Sequence, residues 1–574
     1  MPVEEETFEK DLQAFRGATP PSSGGRGASN AKANAAVPLP KALDGVFARV
    51  GPNPALAARF AGDYHWFDGS GFVHCCRLKE SGKKISYCNR WVETSRLRQE
   101  RAAGVPLFTN FGDYRGWLAA AHLLVGGARR LLGAKDSSDG DGTANTALVF
   151  HARRLLALHE GDLPYVLRVA CDGVVETVGR LRDFSGGGTG KEREEGRAGE
   201  KGRAAVTMAH PFTAHPKVDP ATGELFGIGY NVESKPYLYY FGLDAEGALK
   251  FDVPIDTPVR LRREKKKTSP RKTKKDSRSP PPPSATHAKG SSSRRGPCFR
   301  EYFRVLLTGG GKKLLSEITK IKKNQQQHPT MQHDMAITKR HAIFLDPPLI
   351  FKPERMLGSR DRMPFVFDRD RKARFGVIDR EATNEKRSSP SSASGSASSG
   401  PSTDSTRWFE LDSCMFFHVA NAWEDEASGT IKLFLCVFED FDLDLDQVRP
   451  AGNGEKGSID SSAARSGYAR LNEVTLDLKT GLASRRVVDP ALFGDFPRIN
   501  EKFTGAKSKY AYVATMDPSS PVPLFDGGTR EIRVFIEILQ RESERGRGRG
   551  RGRERERERE RKRRRKRERK AAEK

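Results

Sequence analysis

From residue 39 onward the chain is broken into short apolar and aromatic runs, each closed by Gly, Asp, Asn or Pro. The segments 165–169, 225–230, 237–243, 342–345, 431–438 and 510–515 are of this kind. Runs this short, rich in β-branched and aromatic side chains and bounded by turn formers, fit pleated strands and leave little room for helices. The spacing therefore predicts an all-β chain. One helix stands out at 118–132, where apolar positions recur at helical spacing and Gly133 can end the segment. A β-structure of this length is a large sandwich, two barrels or a propeller, and periodicity alone does not choose among them.

Across its 574 residues the chain is 36% hydrophobic, with a mean hydropathy of -0.64, low for a globular protein. The dilution is local. Four stretches near 185–202, 260–297, 386–406 and 452–467 are rich in Ser, Gly, Pro or Lys/Arg and read as exposed loop expansions. Residues 1–38 read as a disordered arm and 536–574 as an Arg/Glu/Gly-rich disordered tail, leaving 39–535 as the folded region. Much of the net charge of +26 sits in 260–275 and after residue 541, in solvated runs and not on a folded basic face. Nucleic acid is accordingly not expected as a partner. Seven cysteines form no CxxC pair, which fits a reducing compartment. The acidic opening, 1–10, argues against a secretory signal and against a transit peptide, so a cytoplasmic location is expected, with the plastid as the alternative. No run approaches the roughly 18 apolar residues of a membrane span.

Of the twelve histidines, three stand in settings that look built for a purpose: His215 in TAHPKVD, His333 in MQHDMAI and His418 in FFHVANAW. Each places an imidazole beside small or apolar residues at an expected strand end. Neutral imidazole is a good ligand for iron(II), and histidines this far apart in sequence meet only if a closed β-architecture gathers strand ends. Taken singly, each reads more readily as a half-buried core histidine.

The segments around and between these histidines resemble the carotenoid cleavage oxygenases in order along the chain. GVFARVGPNP (45–54) and YHWFDGSGFVH (64–74) are similar to the opening motifs of that family, apart from Ser70 and Phe72, where members commonly carry Asp and Met. GTANTALVFHARRLLALHEGDLPYVLR (142–168) is especially similar to the plant enzymes that cleave carotenoids at the 9,10 and 9′,10′ double bonds. AHPKVDPATGELFGIGY (214–230), RFGVIDR (374–380), WFELDSCMFFHVANAWED (408–425) and DFPRINEKFTG (495–505) continue the match.

The resemblance implies a seven-bladed β-propeller with a helical and loop dome, and iron(II) on its axis held by four histidines. His215, His333 and His418 match three of them. Glu160 stands where the family has an acid behind a ligand, and Asp495 takes the place of another that is usually Glu. A carboxylate accepting from the far ring nitrogen fixes the tautomer of a metal-bound imidazole. Where the family continues with a last Glu and the fourth histidine, this chain runs into its Arg/Glu/Gly tail, so an incomplete C-terminal blade region is expected. The implied activity is O2-dependent cleavage of a carotenoid or apocarotenoid double bond; the competing expectation is an impaired carotenoid binder that lacks the fourth ligand. Peripheral membrane contact and substrate entry are expected at 118–132, through Trp117, Leu118, Leu123 and Leu124, with a core helix as the alternative.

Overall fold

A computed structural model describes residues 44–56, 65–80, 84–114, 116–186, 205–232, 235–257, 329–353, 355, 363–380, 406–443 and 467–516. All of them lie in one compact unit drawn from residues 1–257 and 329–574. The arm, the tail and nearly all of the four low-complexity stretches fall outside the described residues.

The described chain is a succession of antiparallel meanders. β1 (Gly45–Asn53), β2 (Ser70–Lys79) and β3 (Lys84–Trp91) form a three-stranded sheet. Four-stranded sheets follow from β4 (Ala147–His151), β5 (Arg154–Leu158), β6 (Tyr165–Val169) and β7 (Val175–Arg180), and from β8 (Lys217–Val218), β9 (Leu225–Tyr230), β10 (Leu238–Leu243) and β11 (Leu249–Ile255). The next joins β12 (Met335–Ile337) and β13 (His341–Asp346) to β16 (Ala373–Asp379) and β17 (Arg407–Leu411), while β14 (Leu349–Phe351) and β15 (Phe365–Phe367) pair as a separate hairpin. β18 (Met415–Asp425), β19 (Thr430–Phe438), β20 (Arg470–Asp477) and β21 (Ala483–Val487) make the last four-stranded sheet, and β22 (Gly494–Arg498) pairs with β23 (Tyr512–Thr515).

Middle strands such as β9, β13, β16 and β19 are buried along nearly their whole length, which explains their continuous apolar sequence: neighbouring sheets cover both faces. Their side chains build the largest core cluster, in which Phe226, Phe344, Phe375, Phe409, Phe416 and Leu433 bring three successive sheets together. Close approach there demands glycine. A Cβ at Gly229 would lie 2.0 Å from Nδ1 of His210. The first strands of the meanders adjoin one another: β1 meets β4, β8 meets β12, β12 meets β18, and β18 meets β22.

Two α-helices occur among the described residues, α1 (Ser95–Ala103) and α2 (Gly116–Leu131). The second realises the helix expected at 118–132. Its end carries paired reversed bonds, Gly133 N–H to the Arg130 carbonyl at 3.1 Å and Ala134 N–H to the Arg129 carbonyl at 2.8 Å, with Gly133 at φ +70°. The side chains of Trp117, Leu118, Leu123 and Leu124 lie outside the described residues.

Candidate metal centre

The three histidines singled out in the sequence occupy comparable places. His215 lies two residues before β8, His333 two residues before β12, and His418 near the start of β18. Because these strands open three successive sheets and adjoin one another, their rings meet. β18 pairs irregularly at this point, its register against β19 shifting between Phe416 and Val419 and again before Asn421. Such an irregularity bends a strand and re-aims a side chain, and here it brackets His418.

Ligand nitrogens of His215, His333 and His418 all lie within 4.8 Å of one another. Ring centroids are separated by 4.5 Å between His215 and His333, 5.2 Å between His215 and His418, and 5.0 Å between His333 and His418. The Nε2 atoms of His333 and His418 face each other at 3.2 Å. Behind them, Nδ1 of His333 is paired with the Glu160 carboxylate, and Nδ1 of His418 lies 2.9 Å from Oδ1 of Asp495. Glu160 also accepts the Tyr230 hydroxyl at 3.1 Å.

This pattern fits a cation. An imidazole that donates its Nδ1 proton to a carboxylate presents a lone pair at Nε2. Two such lone pairs 3.2 Å apart repel unless a proton or a metal lies between them. Nε2 of His215 is buried without a hydrogen-bond partner, a costly state for an acceptor. One divalent ion would satisfy all three nitrogens, and the charges of Glu160 and Asp495 would balance it. A neutral imidazole set suits iron, zinc, copper or nickel better than calcium or magnesium.

Protonation follows the same logic. Burial, reinforced by positive charge at His333, His418, Lys217 and Arg498, holds His215 well below the ordinary histidine value. Burial pulls His333 down too, but contact with the Glu160 carboxylate outweighs it and raises the ring above the ordinary value. Glu160 moves the other way: burial pushes it up, while His333, His159 and the Tyr230 hydroxyl bring it below the usual carboxylate range. Burial and the neighbouring Glu160 charge push Tyr230 well above the usual phenol value. Without a metal, His333 therefore takes up a proton more readily than His215.

Aromatic side chains wall one side. Phe417 meets His333 edge-on at 5.2 Å and contacts Phe441 at 5.2 Å and Phe438 at 6.1 Å, within a cluster that includes Met331. Phe496 lies 4.7 Å from His418 and adopts φ +53°, a strained backbone for a non-glycine residue. On the other side a cavity of about 1540 Å³ is lined by Lys217, Ile337, Val419 and Arg498.

Glu160 lies behind the His333 ring and Asp495 behind the His418 ring. Sequence reasoning missed Tyr230, Lys217, Asp334 and Cys436. Tyr230 closes an apolar run, Lys217 follows His215 by two residues and Asp334 is next to His333, so adjacency was the available signal for two of them. Cys436, a buried residue of β19 whose thiol bonds to Asp495, carried no signal.

A half-buried trio of imidazoles, two of them backed by carboxylates, at the opening strands of antiparallel meanders, defines an all-β protein with a candidate metal centre. Residues 35–532 match the family model described as retinal pigment epithelial membrane protein, and the chain belongs to that family, which includes the carotenoid cleavage oxygenases. It is similar to carotenoid 9,10(9',10')-cleavage dioxygenase 1 of Arabidopsis thaliana, with 34% identity over 484 residues covering 84% of this chain and 66% of that protein. Similarity to carotenoid 9,10(9',10')-cleavage dioxygenase of Crocus sativus is 32% over 479 residues, covering 83% of this chain and 64% of that protein. The chain thus spans just under two thirds of the length of these curated relatives. Among solved structures, a chimera of apocarotenoid oxygenase and RPE65 superposes with a TM-score of 0.50 at 17% identity, covering 85% of this chain and 74% of that one, a likeness of fold.

Proposed function

We propose that the chain is a non-haem iron oxygenase that cleaves one conjugated double bond of a carotenoid or apocarotenoid with O2 and releases two carbonyl products. The observation that carries this reading is the convergence of three imidazoles, two of which, His333 and His418, are backed by Glu160 and Asp495. Iron(II), when bound by His215, His333 and His418, supplies the redox chemistry that lets O2 react with a closed-shell polyene. The remaining work falls to side chains. Glu160 and Asp495 hold protons at Nδ1 of His333 and His418 and so fix ring orientation. Tyr230 donates to Glu160 and steadies it. Phe417, Phe438 and Phe441 offer an apolar wall on which a polyene packs and from which water is excluded. One oxygen atom ends on each former alkene carbon, so no external reductant is required.

In this reading the meanders are blades of a seven-bladed β-propeller built from 39–535, the low-complexity stretches are insertions between its strands, and α1 and α2 belong to a dome over the metal. Sequential antiparallel sheets with adjoining first strands support it. Peripheral membrane contact through α2 is supported by Leu131 and Leu132, 89% and 83% exposed, beside Arg129 and Arg130. No helix among the described residues is long and apolar enough to cross a membrane. The proposed location is cytoplasmic. A second reading, a homologue that binds the polyene without cleaving it, is favoured by one observation: among the described residues three imidazoles converge.

Protein loaded anaerobically with Fe(II) should retain near-stoichiometric iron by mass spectrometry and convert a β-apo-carotenal under 18O2 to two labelled carbonyl products, with both properties lost in His333→Ala. Bound iron and bound carotenoid without product selects the second reading. Failure to retain iron refutes the metal assignment.

A further inference from the structure

β8, β12 and β18 belong to three different sheets, and no backbone ladder joins them to one another. Something else must set the spacing of the segments that carry His215, His333 and His418. The geometry points to Asp334 as that positioning residue: a single carboxylate that ties the three ligand-bearing segments together before a metal arrives. This rests on the reading of the three histidines as a metal site.

Asp334 directly follows His333 and is 2% exposed. Its Oδ2 accepts the backbone N–H of Val419, the residue after His418, at 2.8 Å. Its Oδ1 lies 2.8 Å from Nζ of Lys217, two residues after His215, and accepts the N–H of Met335 at 2.7 Å. Donors from all three segments thus land on one side chain, each within two residues of its histidine. The charges cancel locally, Asp334 against Lys217, so the clamp leaves Glu160 and Asp495 to balance the ion. A buried carboxylate with three donors has few free lone pairs and little freedom to rotate, which suits a spacer.

The far ends of the same strands carry a second set of ties. Arg380 donates to Asp219, just past β8, at 2.6 Å and to the Thr338 carbonyl, just past β12, at 2.6 Å. Glu424, near the end of β18, accepts the Thr338 hydroxyl and the Arg340 N–H at 3.1 Å. These contacts hold the same strands but touch none of the three histidines, so they provide a matched control.

The experiment compares wild type, Asp334→Asn, Lys217→Met and Glu424→Gln for Co(II) affinity by calorimetry, the Co(II) ligand-field spectrum, melting of the metal-free protein, and crystal structures of metal-free wild type and Asp334→Asn. Asn keeps the shape and one acceptor but loses the charge. We expect a dissociation constant about 10–100-fold higher in Asp334→Asn, the scale for partners outside the ligand set. The ligand-field bands should shift, Lys217→Met should follow in the same direction, and the Nε2 atoms should part in the metal-free variant. Glu424→Gln should melt earlier yet bind Co(II) like wild type. Equal affinity and spectrum in Asp334→Asn, or histidines left in place in its crystal structure, overturns the inference. If wild type takes up no Co(II), the metal reading fails instead, and the crystallographic comparison alone decides the role of Asp334.

Discussion

Replacing Glu160 with Gln removes one charge and almost no volume. The Gln carbonyl can still accept Nδ1–H of His333, and its amide can turn toward Tyr230, whose hydroxyl oxygen can accept, so both contacts survive in neutral form. What is lost is charge assistance: a hydrogen bond to an ionised acceptor contributes about 1.5–3 kcal/mol against about 0.5–1.5 kcal/mol for a neutral one. The difference of roughly 1–1.5 kcal/mol predicts a loss of the order of tenfold in metal affinity at neutral pH, at the low end of the 10–100-fold range for such partners. The pH dependence should move too. In wild type the metal must displace the proton that Glu160 stabilises on His333, so affinity falls as pH drops through the raised His333 value. Without the carboxylate that ring loses its proton more readily, the fall begins at lower pH, and the two proteins converge in acid. Calorimetric titration of Co(II) between roughly pH 8 and pH 5.5 reads both effects. A constant ratio of affinities across that range would refute the coupling of Glu160 to the His333 proton, whatever its size at neutrality.

Three further outcomes follow from other contacts. Asp495→Ala leaves the Nδ1 proton of His418 buried without its acceptor and should weaken Co(II) binding about 10–100-fold in the same calorimetric assay. Gly71→Ala would set a Cβ 2.1 Å from the Ala144 carbonyl oxygen and 2.7 Å from its carbon, backbone atoms that cannot rotate aside, and should cost about 1–3 kcal/mol by urea unfolding. At Glu424, burial raises the carboxyl, but the hydrogen bonds from His341, Thr338 and Arg340 outweigh it and hold the group down to about 2. Because its folded value lies below the unfolded one, the stability it contributes is complete above the ordinary carboxylate value and is lost as pH falls toward about 2. Glu424→Gln should therefore flatten the loss of melting temperature between roughly pH 5 and pH 3, and an unchanged acid limb would dismiss that role.

How much of this was written locally in the chain varies by element. β6 and β9 occupy the segments read from sequence without adjustment, because their apolar runs are bounded by turn residues on both sides. α1 gave no such signal: Ser95–Ala103 has no apolar stripe, and its helix is set by the Thr94 side chain accepting Leu97 N–H and by Gly104 at φ +66°. β8 and β12 span two and three residues, too few to show a period, yet they position two of the three histidines. The histidines and Glu160 were legible because the segments around them resemble a family. Lys217, Asp334 and Cys436 were not, because their partners come from other sheets and depend on which strands adjoin.

The polarity of the centre follows from the direction in which the strands cross it. Just before His333 comes Met331, and just before His418 comes Phe417, both in the aromatic cluster with Phe438 and Phe441; before His215 come Phe212 and Ala214, also buried among apolar side chains. Immediately after the histidines the chain turns to the cavity, with Lys217, Ala336 and Ile337, and Val419 lining it. All three segments thus pass from apolar packing, through an imidazole, to a cavity that also bears Arg498. That shared direction accompanies the meander repeat, in which the opening strands of successive sheets adjoin. It assigns the two faces of the centre different chemistry without any residue being specialised for the purpose. A polyene, which has no polar groups along its length to exchange for water, gains by burial against the aromatic face. The cavity face sets Lys217 and Arg498 among apolar side chains such as Ile337 and Val419, and the same two cations are among the groups that hold His215 below the ordinary histidine value.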